Sequence, residues 1–176
     1  EFVNDTSIFN NSNVLGPFGL NSGWGEEIQI GYNSLSNHDS IFISFDLYIH
    51  DTWDGNQNNQ PDIWQFDVDG INYIYTTFSN DNLSYQSYPN NYDLNNLSNN
   101  PGGTGALLDN LPGDCIWNAS YGSSLYKINL IVPHTSDSLF LQFKSILTEN
   151  SCDESWSIDN VFIETIYSPS NELTVY

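Results

Sequence analysis

Arginine and methionine are absent from this 176-residue chain, and apart from three histidines its only basic side chains are Lys127 and Lys144. Against them stand 22 Asp and Glu, for a formal net charge of −20. Neutralising phosphates takes Lys and Arg, so nucleic acid is not an expected partner. An anionic membrane surface is not an expected partner on the same ground. With no Arg clamp and no phosphate loop, phosphoryl transfer is disfavoured. No apolar run is long enough to span a bilayer, so no direct membrane insertion is expected. No signal peptide is recognisable, and the chain starts at Glu1 without a methionine. It therefore reads as a mature or excised piece of a longer precursor. Cysteine is scarce too. Cys115 and Cys152 lie in no CxxC motif and beside no histidine, which argues against redox or nucleophilic roles. In an oxidising compartment they would form a disulfide; in a reducing one they would be two buried thiols.

What is present is aromatic and β-branched. The 5 Trp, 11 Tyr and 10 Phe recur in short runs of the kind strands prefer. No helical period is sustained. Residues 40–50 put Ile41, Ile43, Phe45, Leu47 and Ile49 on one face and polar or aromatic residues on the other. Residues 27–32, 63–69, 125–132, 138–147 and 156–166 read as further strands. Asp69-Gly70 reads as a hairpin turn into a strand over 71–78. Residues 79–122 form a long region rich in Asn, Pro, Gly, Ser and Tyr, expected to be functional or to hide short strands. About eight to ten strands separated by turns predict an all-β chain, a jelly-roll β-sandwich of two antiparallel sheets. An immunoglobulin-like sandwich is the second choice, although its Cys…Trp…Cys spacing is not matched. One domain over residues 1–167 is expected, with residues 168–176 a C-terminal extension or the start of a linker. Glycosylation sequons occur at Asn4, Asn10, Asn82, Asn96 and Asn118.

A series of segments resembles a module of bacterial secreted and surface proteins. It begins with Val14-Leu15-Gly16-Pro17-Phe18-Gly19, then Phe45-Asp46-Leu47-Tyr48-Ile49 followed by Asp51-Thr52-Trp53-Asp54-Gly55. It continues through Pro61-Asp62-Ile63-Trp64, Gln86-Ser87-Tyr88-Pro89 and the closing Asp153-Glu154-Ser155-Trp156-Ser157-Ile158-Asp159-Asn160-Val161. The closing element is also similar to the last strand of MAM-like and carbohydrate-binding jelly rolls. The resemblance implies a β-sandwich within large adhesins or extracellular enzymes, and a structural place for Asp159. The lack of Arg, the abundance of Asn and the cysteine pair depart from it.

Three groups of residues carry candidate chemistry. Asp51, Asp54 and Asp62 lie within one loop that begins at a strand end, and calcium takes six to eight oxygens from such loops. The terminal Glu of an EF-hand is missing, so that motif is excluded; an Asx-rich turn with solvated charges is the competing reading. Glu154 and Asp159, with Asp153 and Asn160 beside them, form the second group. An acid inside a strand must be hydrogen-bonded, paired or metal-bound, and two lysines cannot pair with many acids. Trp53, Tyr85, Gln86, Tyr88 and Tyr92 form the third, with rings able to stack on sugar faces beside hydrogen-bonding amides. The competing reading is that these rings cover the core. His38, His50 and His134 are scattered and show no ligand spacing, and no nucleophile elbow or triad signature occurs. The expectation is a secreted or cell-surface module without catalysis that binds a glycan or another surface protein, with Ca2+ stiffening its loops. The rival expectation is a spacer or assembly module without a small ligand.

Overall fold

A computed structural model describes residues 6–21, 26–56, 60–81, 83–115 and 122–167. The sequons at Asn4, Asn82 and Asn118 and the extension at 168–176 lie outside the described residues. The chain is all-β, and every strand pairing is antiparallel. The strands are β1 (Thr6–Phe9), β2 (Ser12–Phe18), β3 (Glu27–Asn33), β4 (Ser40–Asp51), β5 (Ile63–Val68) and β6 (Ile71–Thr77). They continue as β7 (Tyr85–Gln86), β8 (Asn100–Pro101), β9 (Leu108–Leu111), β10 (Ser123–Pro133), β11 (Ser138–Ile146) and β12 (Glu154–Ile166). One sheet has the order β1-β2-β12-β4-β10-β9, a second β3-β11-β5-β6, and β7 pairs with β8.

The alternation of β4 explains why the two larger sheets pack together. Ile41, Ile43, Phe45, Leu47 and Ile49 are all fully buried. They meet Trp64, Phe66 and Val68 of β5 and Leu139, Leu141 and Phe143 of β11 in one core. The Phe45 ring lies 5.1 Å from both Phe66 and Phe143. Each such side chain contributes about 1.5–3 kcal/mol by leaving water. The β5–β6 connection is the Asp69-Gly70 turn, with φ of 50° and 77°, the left-handed pair that a two-residue hairpin requires.

The β1–β2 hairpin covers part of the opposite face of the six-stranded sheet. Phe9, Val14, Tyr48 and Leu125 form a second small cluster there. His50 lies beside it, fully buried, with Phe9 at 4.5 Å and its ring nitrogens 2.9 Å from Ser123 Oγ and 2.8 Å from Ser157 Oγ. Burial holds this imidazole at about 3, far below its ordinary value. The other two histidines, far apart in sequence, meet at the end where β4 begins. His38 Nε2 lies 2.6 Å from His134 Nδ1, and His134 Nε2 lies 3.0 Å from Asp69 Oδ2. That second approach is an ion-pair distance without hydrogen-bond alignment. The contact ties the β3–β4, β5–β6 and β10–β11 connections together.

His50 generates a pH prediction. An unfolded His50 takes up a proton near pH 6.5, whereas the folded one refuses it until about 3. Its contribution to stability is therefore complete above the unfolded value and is lost as pH falls toward the folded one. Urea titrations at several pH values below 6.5 should show wild type losing about 1.4 kcal/mol per pH unit more than His50→Gln. Parallel pH profiles for the two proteins would show that His50 is not the group responsible.

Candidate functional site

The end of the molecule where β4 stops is acidic, and strand alternation puts two of its carboxyls inside. Trp64 of β5 and Trp156 of β12 are fully buried and meet edge to face at 6.1 Å. Two residues before each tryptophan in sequence, on the same inward face, stand Asp62 and Glu154. Each is only 2% exposed, and the two carboxyls share a hydrogen bond. Asp62 Oδ2 also accepts the Asp54 backbone N–H at 2.6 Å, and the Asp62 N–H donates to Gly55 O at 3.3 Å. Asp54 itself is half-buried.

Several contacts fix the loop that carries Asp54. Thr52 donates from both N and Oγ1 to Asp153 O, at 2.7 and 2.9 Å. Asn80 Nδ2 donates to Ile49 O and Asp51 O at 3.0 and 2.8 Å. Gly55 has φ of 72°, and a Cβ there would stand 2.2 Å from Tyr85 O, so only glycine fits.

Two carboxyls can share a hydrogen bond only if one of them is protonated. Burial first, then the Asp62 charge, raises Glu154 well above the ordinary carboxyl range, with Glu149 and Asp54 adding to it. Burial likewise raises Asp62, and it raises Asp54 with help from Glu149 and Asp81. Neither lysine relieves the site. Lys127 pairs with Asp46 at 3.0 Å, and Lys144 with Asp67 at 2.7 Å. Glu154 Oε2 is buried without a hydrogen-bond partner. The site therefore demands positive charge, supplied by a proton or by a cation. Among the described residues, no three His, Cys, Asp or Glu side chains already stand in an arrangement that could hold a metal.

The two candidate groups of acids are regrouped by the fold. Asp54, Asp62 and Glu154 come together; Asp51 and Asp159 do not join them. Asp51 has φ of 62°, which breaks the alternation at the end of β4. Its Oδ2 instead accepts the Cys115 N–H at 3.3 Å. Asp159 belongs to the outer face, where Ser12 Oγ donates to it at 2.6 Å and the Asn160 N–H at 2.7 Å. At ~3.3 Å per residue it stands roughly 16 Å along β12 from Glu154.

The expected stacking platform is corrected as well. Trp53 is fully buried, with Nε1 donating to Ser155 O at 2.9 Å and its ring 6.4 Å from Phe78. Gln86 is also fully buried and is committed to structure. Its Oε1 accepts from Ser79 N and Gly103 N, and its Nε2 donates to Tyr88 O and Thr104 O. Tyr88 is half-buried against Phe78 and Tyr126, at 4.9 and 5.2 Å. Tyr92 is half-buried and lies 6.4 Å from Tyr75. Tyr85 alone among these side chains stays exposed, at 56%.

The outer face of the four-stranded sheet carries a polar network that sequence reasoning missed. Gln142 donates to Glu27 at 2.6 Å. Asp67 accepts from Lys144, from Gln65 and from Asn72. The signal was available in the polar alternate positions of β3, β5 and β11, which were read only for their apolar partners. The Cys115–Cys152 disulfide is formed, with an S–S distance of 2.07 Å.

The Glu154 carboxyl yields a test by substitution. Its raised folded value means its contribution to stability is complete below the ordinary carboxyl range and is lost as pH rises through the folded value. In chelator at pH 8, Glu154→Gln should therefore unfold at higher denaturant than wild type, by about 1–3 kcal/mol. The gap should close below roughly pH 4.5, where the unfolded carboxyl is neutral too. A variant less stable than wild type in chelator would refute the charge crowding. Comparison with protein-family models, with curated proteins and with solved structures finds no match to this chain.

Proposed function

We propose that this chain is an extracellular, non-catalytic recognition module, a jelly roll whose acidic end is closed by calcium. The buried Asp62–Glu154 pair, with Asp54 beside it and no lysine within reach, carries this reading. Calcium prefers oxygen ligands in flexible arrangements and readily takes backbone carbonyls and water in addition to carboxylates. An ion here would replace the shared proton and pin the ends of β5 and β12 to the Asp54 segment.

The strand order supports the jelly-roll part. Eight strands divide as β2-β12-β4-β10 and β3-β11-β5-β6, the pattern left by two interlocked Greek keys. The disulfide supports an oxidising compartment. No helix among the described residues is long and apolar enough to cross a membrane.

Glycan recognition is best supported on the outer face of the four-stranded sheet. There Gln29, Gln65, Gln142 and Asn72 present amides beside Glu27 and Asp67, with Tyr75 in register opposite Gln65. Amides and carboxylates next to an aromatic edge are what sugar hydroxyls and ring faces require. A second reading, assembly with another protein, is favoured by the outer face of the six-stranded sheet. Phe42 and Phe162 lie 6.3 Å apart there, and Phe162 is 51% and Ile131 67% exposed. A glycan array and a sizing column separate the two. Sugar binding lost in Gln142→Ala supports recognition, and self-association lost in Phe162→Ser supports assembly.

Calcium is tested by thermal unfolding. At 100 times the dissociation constant, an ion that binds only the folded chain adds about 2.7 kcal/mol, a rise of several degrees. Wild type should show that rise from chelator to calcium, and Asp62→Asn should lose most of it. An equal rise in both proteins would remove Asp62 from the site.

A further inference from the structure

The two edges of the four-stranded sheet are treated differently by the rest of the chain. The outer edge of β6 is covered by the residues that follow it. The Tyr75 N–H donates to Asn91 Oδ1 at 3.1 Å, Tyr75 O accepts the Tyr92 N–H at 2.6 Å, and Thr77 O accepts the Tyr88 N–H at 3.2 Å. β3 forms the opposite edge and pairs with β11 in continuous register from Glu27 to Asn33. Among the described residues, no hydrogen bond reaches the β3 backbone from the side away from β11. Nor does β3 carry a lysine, a proline or a bulge, the devices that keep edge strands from pairing further.

The inward side chains of β3 are also short of cover. Ile28 is buried, but Ile30 and Tyr32, which share its face, are only half-buried. The larger sheet continues past β12 through β2 and β1 and overhangs them. Leu15 of β2, Ile158 and Val161 of β12, and Ile30 and Tyr32 of β3 line a groove of about 350 Å³ beneath this overhang. Ile8, whose register partner Asn13 borders the groove, is 78% exposed. A strand added to β3 would lie ~4.8 Å from it, under the β1–β2 hairpin. A second copy presenting its own β3 would drive its own overhanging hairpin into this one. The opening therefore suits an isolated strand.

The chain carries such a strand at the right end. β12 finishes beside the segment that leaves β3: Ile166 O accepts the Asp39 N–H at 3.0 Å, and Thr165 Oγ1 lies 2.9 Å from Ser36 Oγ. Beyond Tyr167 the sequence reads Ser168-Pro169-Ser170-Asn171, all turn formers, and then Glu172-Leu173-Thr174-Val175-Tyr176, a period-two run of strand character. Packed sheets stand ~10 Å apart, which the turn formers can cross, and the run after them covers roughly 17 Å of β3. We propose that residues 172–176 dock antiparallel on the free edge of β3, as a fifth strand of that sheet, and fill the groove under the β1–β2 hairpin. In the register that joins apolar to apolar, Leu173 stands opposite Tyr32 and Val175 opposite Ile30, both toward the groove. Glu172, Thr174 and Tyr176 then stand opposite Asn33, Gly31 and Gln29, so Glu172 is kept away from Glu27. The docked strand closes an edge that a strand of another protein could otherwise join.

The test uses the full chain, with tryptophan fluorescence confirming the fold of each sample. A Cβ on Gly31 meets nothing within 4 Å, so a cysteine fits there. Gly31→Cys combined with Thr174→Cys, oxidised and digested for mass spectrometry, should give a cross-link within one chain. Gly31→Cys combined with Val175→Cys, whose side chain faces the groove, should link at least tenfold less. Hydrogen exchange gives a second readout without added cysteines. Leu173→Asp should speed exchange of the β3 amides that β11 does not bond by at least tenfold, while β4 exchanges as in wild type. Links that join two chains, seen as dimers on a sizing column, would place the tail of a second copy in the groove and overturn docking within the chain. The added strand is overturned if neither cysteine pair links, if both link equally, or if Leu173→Asp leaves β3 exchange unchanged.

Discussion

The inward alternation of β5 and β12 places a carboxyl one step beyond each of two tryptophans, and the rest of the acidic end is arranged around that fact. Trp64 and Trp156 close the core, and the next inward positions are Asp62 and Glu154. Moving either carboxyl to solvent would mean shifting its strand by one residue, which would expose a tryptophan. The core thus holds two like charges together, against their repulsion, in a chain that has only two lysines and uses both elsewhere. A proton held by the pair resolves the conflict, since burial and the Asp62 charge raise Glu154 well above the ordinary carboxyl range.

The disulfide constrains the same end of the molecule by covalent means. Closing a loop with a sequence separation of 37 stabilises the folded chain by about 3–4 kcal/mol in the chain-entropy model. Asp51, at the end of the longest inward-facing row, is turned toward the disulfide by its left-handed backbone. Asp51 and Glu154 are partners in register yet send their carboxylates to different neighbours, Asp51 to the Cys115 N–H and Glu154 to Asp62.

Much of this architecture was legible in period-two patterns. The reading of residues 40–50 matches β4 within one residue, and the turn at Asp69-Gly70 is where the dipeptide puts it. The β1–β2 hairpin was missed, because its short strands are rich in Asn and Ser and its burial comes from a face of β4 that looked solvent-facing. Asp54, Asp62 and Glu154 were identifiable as candidates, but register alone decided that they meet while Asp159 faces away. Trp53 and Gln86 were misassigned for a related reason. Local sequence marks them as loop residues, whereas their burial comes from Ser155, Ser79 and Gly103, which approach from other parts of the chain.

The order of the larger sheet has a mechanical side. β1 and β12 both run antiparallel to β2, which lies between them, so they are parallel to each other. β12 is further locked along most of its length to β4. A pull on β1 against β12 would load the β1–β2 and β2–β12 hydrogen bonds in shear, straining those of each pairing together where a peeling geometry would break them singly. The sheet that organises the carboxylates is thus also built to resist extension along its strands.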